Sequence, residues 1–256
     1  MAAVPRAWGS LILAVRFLTV VPVPGREGQG VSALGRAAWW FPVVGFLLGV
    51  GLAGTLAVLQ ALFPPLLASA LLVTAWKAVT GGIHLDGLAD VLDGLAGRDQ
   101  AQRLAIMRDS RVGAFGAAGL ILFLFLVVTA VADLPGPVRG RLLILAPVVG
   151  RAAPLLVGVW LRPATPGEGL GAAFVDGLSR WAGPLWVLGG IALGVALLGP
   201  WGAAIPALAW VTVVLCAGVV ARRLGGLTGD VLGAVVELAE LGALLAGAAL
   251  ARRGLL

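Results

Sequence analysis

The chain has 256 residues, of which 60% are hydrophobic and 12% are charged. Because an ordinary soluble domain carries roughly a quarter charged residues, this composition excludes a water-soluble globular protein and predicts a polytopic integral membrane protein. The single cysteine, Cys216, excludes an intramolecular disulfide.

The first apolar segment, residues 8–21, is too short for a full crossing, which needs about 20 apolar residues. It contains Arg16 and is followed by Pro22 and Pro24. The segment therefore predicts a short interfacial or re-entrant helix. It lacks a small-residue cleavage site, so we do not interpret it as a removable signal peptide.

Two longer stretches, residues 37–76 and 182–221, each contain forty residues without a charged side chain. Each is long enough for two spans. Each also has a helix breaker near its middle, FPP at 63–65 and GPWG at 199–202. Each stretch therefore predicts a helical hairpin.

Three further candidate spans are residues 113–132, 142–161 and 231–251. Together with the two hairpins they make about seven transmembrane helices in an all-α bundle, plus the short N-terminal helix. No internal repeat or low-complexity linker is evident. We therefore expect a single transmembrane catalytic domain over residues 1–256.

Basic residues predict the orientation of the chain in its membrane. If the region after Pro24 is cytoplasmic and the spans alternate, thirteen of the eighteen basic residues fall at the inner side. Arg151 lies within a span, and four lie outside: Arg139, Arg141, Arg252 and Arg253. The net charge of +6 is therefore a topology signal that fits a lipid bilayer and requires no nucleic-acid partner.

The most informative segment is TGGIHLDGLADVLDGLAGR, residues 80–98. At about 100° per residue, Asp90 lies roughly 40° from Asp86 on a helix and Asp93 about 20° to its other side. Three carboxylates that close repel one another unless a cation lies between them. Oxygen-only ligands favour a hard divalent cation such as Mg²⁺, which suits a phosphate substrate.

Two other features of this segment carry predictions. Gly81 and Gly82 open it, which allows a substrate or another backbone to come close. His84, the only histidine, lies about 160° from Asp86 on the helix. We expect it to contact a neighbouring loop, with a direct catalytic role as the alternative.

The segment RLAIMRDSRVGAFG, residues 103–116, places Arg108 and Arg111 around Asp109 and Ser110 just before a span. Guanidinium groups bind phosphate bidentately. We expect the two arginines and the serine to bind substrate and the aspartate to assist catalysis. The alternative is a solvated, positively charged flank of the span.

The segment RRLGGLTGDVLGAVVELAELGALL, residues 222–245, contains Thr228 and Asp230 at a helix start. Either residue can serve as a helix cap or bind substrate. Glu237 lies about 20° from Asp230 on the same face, and acids inside a membrane mark functional sites or paired partners. We expect all three to bind substrate, with Arg151 as a partner for the buried acid.

An acidic helix and several arginines at one membrane face are typical of phosphoryl or nucleotidyl transfer, in which positioning and charge neutralisation supply most of the catalysis. The order of the motifs also resembles the cobalamin synthase family, the adenosylcobinamide-GDP ribazoletransferases. Residues 81–94 match its signature G-G-x-H-x-D-G-x-A-D-x-x-D-G. The resemblance extends in order through FLTVVPVP at 17–24, WWFPVVGFLLG at 39–49, IMRDSRVGAFG at 106–116 and GGLTGDVLGAVVELAE at 225–240.

The resemblance implies a Mg²⁺-dependent enzyme that joins adenosylcobinamide-GDP to alpha-ribazole or its phosphate, giving adenosylcobalamin or its phosphate and GMP. Asp86, Asp90 and Asp93 would hold the metal against the pyrophosphate, and His84 belongs to the same signature. The resemblance also implies a bacterial inner membrane, and the distribution of basic residues predicts that the active site faces the cytoplasm. Whether the chain forms a homo-oligomer stays open.

Two alternatives have different signatures. A CDP-alcohol phosphotransferase also holds metal with aspartates at helical spacing, but that family has an arginine where this chain has Asp90. An ion-coupled secondary transporter would use membrane acids near mid-membrane. Here the acidic segment follows a span that ends near Val79, so it lies at the membrane boundary.

Overall fold

The structure, a computed structural model, describes residues 6–24 and 33–256. Arg26, one of the basic residues used for the orientation, lies outside these ranges. Within them the chain forms twelve α-helices: α1 (Arg6–Leu18), α2 (Leu34–Ala37), α3 (Phe41–Leu62), α4 (Pro65–Val79), α5 (Ile83–Gly94), α6 (Gln100–Met107), α7 (Ala114–Asp133), α8 (Gly136–Trp160), α9 (Gly169–Gly177), α10 (Ala182–Leu198), α11 (Ala204–Leu224) and α12 (Gly229–Arg252). Two short 3-10 helices, Ala38–Trp40 and Pro200–Ala203, precede α3 and α11.

The all-α prediction and the span count are confirmed. Among the described residues, five segments are long and apolar enough to cross a membrane, and the number is seven if each of two bent helix pairs, α4 with α5 and α9 with α10, counts as one span. The short N-terminal helix α1 is also present.

Both predicted hairpin breaks occur where the breakers lie. Phe63 is extended because it precedes a proline, and α4 then begins at Pro65. Gly199 ends α10 with a φ of 76°, in the region that glycine adopts without steric cost.

Helix α8 forms the centre of the bundle. It packs against α3, α10, α11 and α12, and most of its side chains are buried. The outer helices instead expose large apolar side chains, such as Leu47 on α3, Ile121 on α7 and Leu215 on α11. These faces are suited to contact with lipid hydrocarbon.

A sharp turn separates α4 from α5 and positions the acidic segment. The two helix axes differ by 92°, and Gly81 and Gly82 between them both have φ near +70°. Residues with a Cβ rarely adopt this conformation. The two glycines are therefore needed for the turn, a different role from the close approach predicted from the sequence.

Candidate active site

The three aspartates of α5 lie in different environments. Asp86 is exposed, Asp90 is half-buried and Asp93 is buried. The helix predicted over this segment is present as Ile83–Gly94. However, Asp93 contacts α7, whereas Asp86 and Asp90 lie near the start of α12.

Asp93 contacts the N-terminus of α7. Its Oδ2 accepts a hydrogen bond from the backbone N–H of Gly113 at 2.7 Å, and its Oδ1 accepts one from Gly116 at 2.8 Å. A Cβ on either glycine would overlap the carboxylate. Because a carboxylate at a helix N-terminus satisfies free N–H groups, Asp93 has a structural contact where the sequence suggested a metal ligand.

Asp86 and Asp90 instead lie near Asp230 at the start of α12. A Cβ on Gly87 would come within 2.7 Å of the Asp230 carbonyl oxygen, so the glycine permits α5 to pack closely on α12. Burial raises the pKa of Asp90 to about 6, and the negative charges of Asp86, Asp230 and Asp93 add to the rise. We name Asp86, Asp90 and Asp230 the acidic cluster.

Thr228 explains why Asp230 is available for this cluster. The Thr228 hydroxyl accepts a hydrogen bond from the backbone N–H of Val231 at 3.2 Å and so caps α12. It also lies 3.4 Å from Asp230 Oδ2 as a hydrogen-bond donor. Thr228 is thus the helix cap, and the carboxylate of Asp230 is not needed for that purpose.

Two cavities meet at Asp230, one member of the acidic cluster. A polar cavity of about 230 Å³ is lined by Arg108, Thr165, Glu168 and Thr228 among other residues. An apolar cavity of about 270 Å³ is lined by His84 and by side chains of α1, α3, α8, α9 and α12. Asp230 lines both cavities, which places it where two ligand groups could meet.

The loop before α7 is only partly directed at the site. Arg108 lines the polar cavity, as expected for an anion-binding residue. Arg111, by contrast, forms an exposed ion pair with Asp109 at 2.6 Å. Hydrogen bonds from Arg111 lower the pKa of Asp109 to about 2, and Ser110 is exposed. Asp109, Ser110 and Arg111 are not among the residues that line the polar cavity, and their expected roles in catalysis and substrate binding stay predictions.

Glu237 lies in a buried ion-pair network and lines neither cavity. Its Oε2 is 2.5 Å from Lys77 Nζ, and Glu240 Oε2 is 3.0 Å from the same nitrogen. Arg151 pairs with the other oxygen of Glu240. Glu237 thus has a structural contact in this network, and its expected substrate contact stays a prediction. Arg151, predicted as a partner for the acids of this span, pairs with Glu240.

Sequence reasoning missed Lys77 because it was assigned to the basic flank of a span. The chain has one lysine and seventeen arginines, and this lysine is the cation that joins α4 to α12. The signal available was the presence of two glutamates within one apolar span, since buried acids require buried partners.

The acidic cluster fits Mg²⁺ only together with a phosphate ligand. Within residues 6–24 and 33–256, no three Asp, Glu, His or Cys side chains lie close enough to form a ready-made metal site. Mg²⁺ is commonly held by one or two carboxylates, with waters and substrate phosphates completing its octahedron. Neighbouring carboxylates without a paired cation offer the required oxygen donors.

These features define a polytopic helical membrane protein with a carboxylate-rich site at one end of its bundle. The chain matches the family described as CobS, Cobalamin-5-phosphate synthase, over residues 10–248. Because that match covers nearly the whole chain, the protein belongs to this family. No solved structure matches the chain significantly.

Curated relatives agree with the family. An "Adenosylcobinamide-GDP ribazoletransferase" of Ectopseudomonas mendocina is 41% identical over 238 residues, covering 91% of this chain and 96% of the relative. Proteins of the same name from Pseudomonas paraeruginosa and Geotalea daltonii are 42% and 37% identical over 245 and 230 residues. They cover 93% and 90% of this chain, and 96% and 92% of their own lengths. The resemblance read from the motifs is confirmed.

Proposed function

We propose that this chain transfers the adenosylcobinamide phosphate group of adenosylcobinamide-GDP to alpha-ribazole or its phosphate, releasing GMP. The family match and the relatives' names support this late step of cobalamin biosynthesis. The observation that carries the assignment of the site is the position of Asp230, which belongs to the acidic cluster and lines both cavities.

The chemistry is a phosphoryl transfer without a change of oxidation state. A ribazole hydroxyl attacks the phosphorus bonded to the cobinamide side, a new P–O bond forms, and the pyrophosphate P–O bond to GMP breaks. The proton of the hydroxyl goes to a carboxylate of the acidic cluster, and Asp230 is the member that lines both cavities. General base catalysis requires the carboxylate to be ionised and to lie within hydrogen-bonding reach of that hydroxyl.

The polar cavity is the proposed position of the pyrophosphate. Arg108 contributes a guanidinium group, which binds phosphate oxygens and offsets the charge that develops on GMP. Bound Mg²⁺, held by Asp86 and Asp90 with the phosphates, would supply further charge neutralisation. Asp93 would act indirectly, by fixing α5 against α7.

A turnover assay with purified protein in lipid tests this function. Adenosylcobinamide-GDP, alpha-ribazole and Mg²⁺ should yield GMP and a completed corrinoid in equal amounts, and EDTA should stop the reaction. Asp86→Asn and Asp90→Asn should each reduce turnover by about 10²-fold or more. Asp133→Asn, at the far end of α7, is the matched control. Absence of GMP from the unaltered protein would refute the proposal.

We also propose that the site faces the cytoplasm, within one transmembrane domain. The loops around the site carry Arg108 and Arg162, the last turn of α11 carries Arg222 and Arg223, and the backbone N–H of Leu227 donates to the carbonyl of Arg162 at this end. A basic excess is typical of cytoplasmic loops. In a Cys216→Ala background, an impermeant maleimide should label Arg111→Cys only in opened cells, and Arg141→Cys in intact cells too. The reverse pattern would contradict this orientation.

A further inference from the structure

The apolar cavity has an aromatic wall beside the acidic cluster. Phe17 stacks on Phe41 with ring centroids 5.8 Å apart and planes 14° apart, and Phe41 lies 6.1 Å from Phe174. All three side chains line the cavity. Such surfaces favour flat aromatic ligands, which gain both apolar burial and ring stacking.

One side chain that lines the cavity, His84, has a polar atom without a hydrogen-bond partner among the described residues. The residue is only 5% exposed. The unpaired atom is its buried Nδ1. Buried polar atoms in folded proteins nearly always have a partner, so this nitrogen is suited to a ligand that brings one polar atom into an otherwise apolar space.

We propose that the apolar cavity binds the heterocyclic base of the ribazole acceptor, with the His84 imidazole hydrogen-bonded to the base. This inference rests on the proposed function. The base is a flat bicyclic aromatic group with a single ring nitrogen free to accept a hydrogen bond. The apolar part of the base would pack against Phe17, Phe41 and Phe174. Its free nitrogen would accept a hydrogen bond from Nδ1 of His84, which has no other partner among the described residues.

The other substrate groups fit this cavity less well. A volume of about 270 Å³ lies below the roughly 300–1,000 Å³ of sites for drug-sized ligands, so a corrin macrocycle is too large. Guanine is small enough, but it presents several donors and acceptors. Among the described residues that line the cavity, only His84 and Asp230 offer polar side chains, so most of its polar edge would be buried without partners there.

The proposed position also suits the reaction geometry. Asp230 lies at the boundary between the apolar and the polar cavity. A base held in the apolar cavity directs its attached ribose toward this boundary. The attacking hydroxyl would therefore meet the pyrophosphate next to Asp230.

Filling the cavity tests the assignment by kinetics. Leu232, on the α12 wall, is replaced in Leu232→Trp. The matched control is Leu48→Trp, which enlarges a side chain lining a separate apolar cavity of about 410 Å³. We expect Leu232→Trp to raise KM for alpha-ribazole by about tenfold or more and to leave KM for adenosylcobinamide-GDP within about twofold. Equal effects of the two variants on alpha-ribazole would overturn the proposal.

The role of His84 has its own readout. His84→Gln keeps a hydrogen-bonding side chain, whereas His84→Phe removes it. We expect the phenylalanine variant to lose most of its preference for alpha-ribazole over an analogue whose base has carbon in place of the free nitrogen. The glutamine variant should retain part of this preference. Unchanged preference in both variants would contradict the contact.

A measurement on the unaltered protein covers the case in which Leu232→Trp does not fold. A photoreactive azido-benzimidazole should label peptides of α9 or α12 that line the apolar cavity, and alpha-ribazole should prevent the labelling. Labelling elsewhere would refute the site even if turnover is normal. Absence of turnover would instead refute the proposed function, so the two failures are distinguishable.

Discussion

The variant Lys77→Met removes the cation that faces two buried glutamates. Lys77 Nζ lies 2.5 Å from Glu237 and 3.0 Å from Glu240, and all three residues are buried. With Arg151, the network contains two cations and two anions and is neutral. The substitution leaves one uncompensated negative charge in the interior of the bundle.

The expected cost follows from that unpaired charge. Removal of one partner from a buried ion pair destabilises a protein by about 3–5 kcal/mol, a large part of the 5–15 kcal/mol typical of folded domains. The double variant Lys77→Met/Glu237→Gln makes the network neutral again. We therefore expect it to recover more than half of the lost stability.

Thermal unfolding in detergent micelles, followed by circular dichroism, measures these differences. Lys77→Met should unfold at least about 6 °C below the unaltered protein, using roughly 2–4 °C per kcal/mol for a chain of this size. Arg222→Met, an exposed cation on α11, is the matched control and should stay within about 0.5 kcal/mol. If Lys77→Met behaves like this control, the network does not contribute as reasoned.

Three further predictions concern the acidic segment. Asp93→Asn should lower the unfolding temperature but leave Mg²⁺ affinity unchanged, because Asp93 binds the N-terminus of α7. Calorimetric titration of Mg²⁺ in the presence of a pyrophosphate analogue measures that affinity. Loss of affinity would show that Asp93 is a metal ligand. With its pKa near 6, Asp90 gains a proton as pH falls through 6, so Mg²⁺ affinity should decrease between pH 7 and 5 and this dependence should vanish in Asp90→Asn. Gly87→Val should reduce turnover by about tenfold or more, because the new side chain would move α5 away from Asp230. The control Gly54→Val, where a Cβ meets open space, should leave turnover unchanged.

Much of the fold was predictable because its signals are local. Apolar length predicted the spans, and the prolines and glycines at 63–65 and 199–202 predicted the breaks between them. The 92° turn before α5 was not predicted. Two adjacent glycines permit many backbone conformations, and packing selects the left-handed pair seen at Gly81 and Gly82.

The site was predictable only in part because helical periodicity describes one helix at a time. It placed Asp86, Asp90 and Asp93 on one arc, but it could not show that α7 meets one end of this arc and α12 the other. The pairing of Lys77 with Glu237 spans 160 residues. Such contacts depend on the tertiary arrangement, which no local pattern contains.

The most direct test of the account compares Asp230→Asn with the unaltered protein in the reconstituted reaction. GMP release from adenosylcobinamide-GDP is measured with alpha-ribazole and saturating Mg²⁺, after circular dichroism shows equal helical content. The account predicts a loss of about 10²-fold or more, because Asp230 lies where the two cavities and the acidic cluster meet. Full GMP release by a folded Asp230→Asn protein would contradict it.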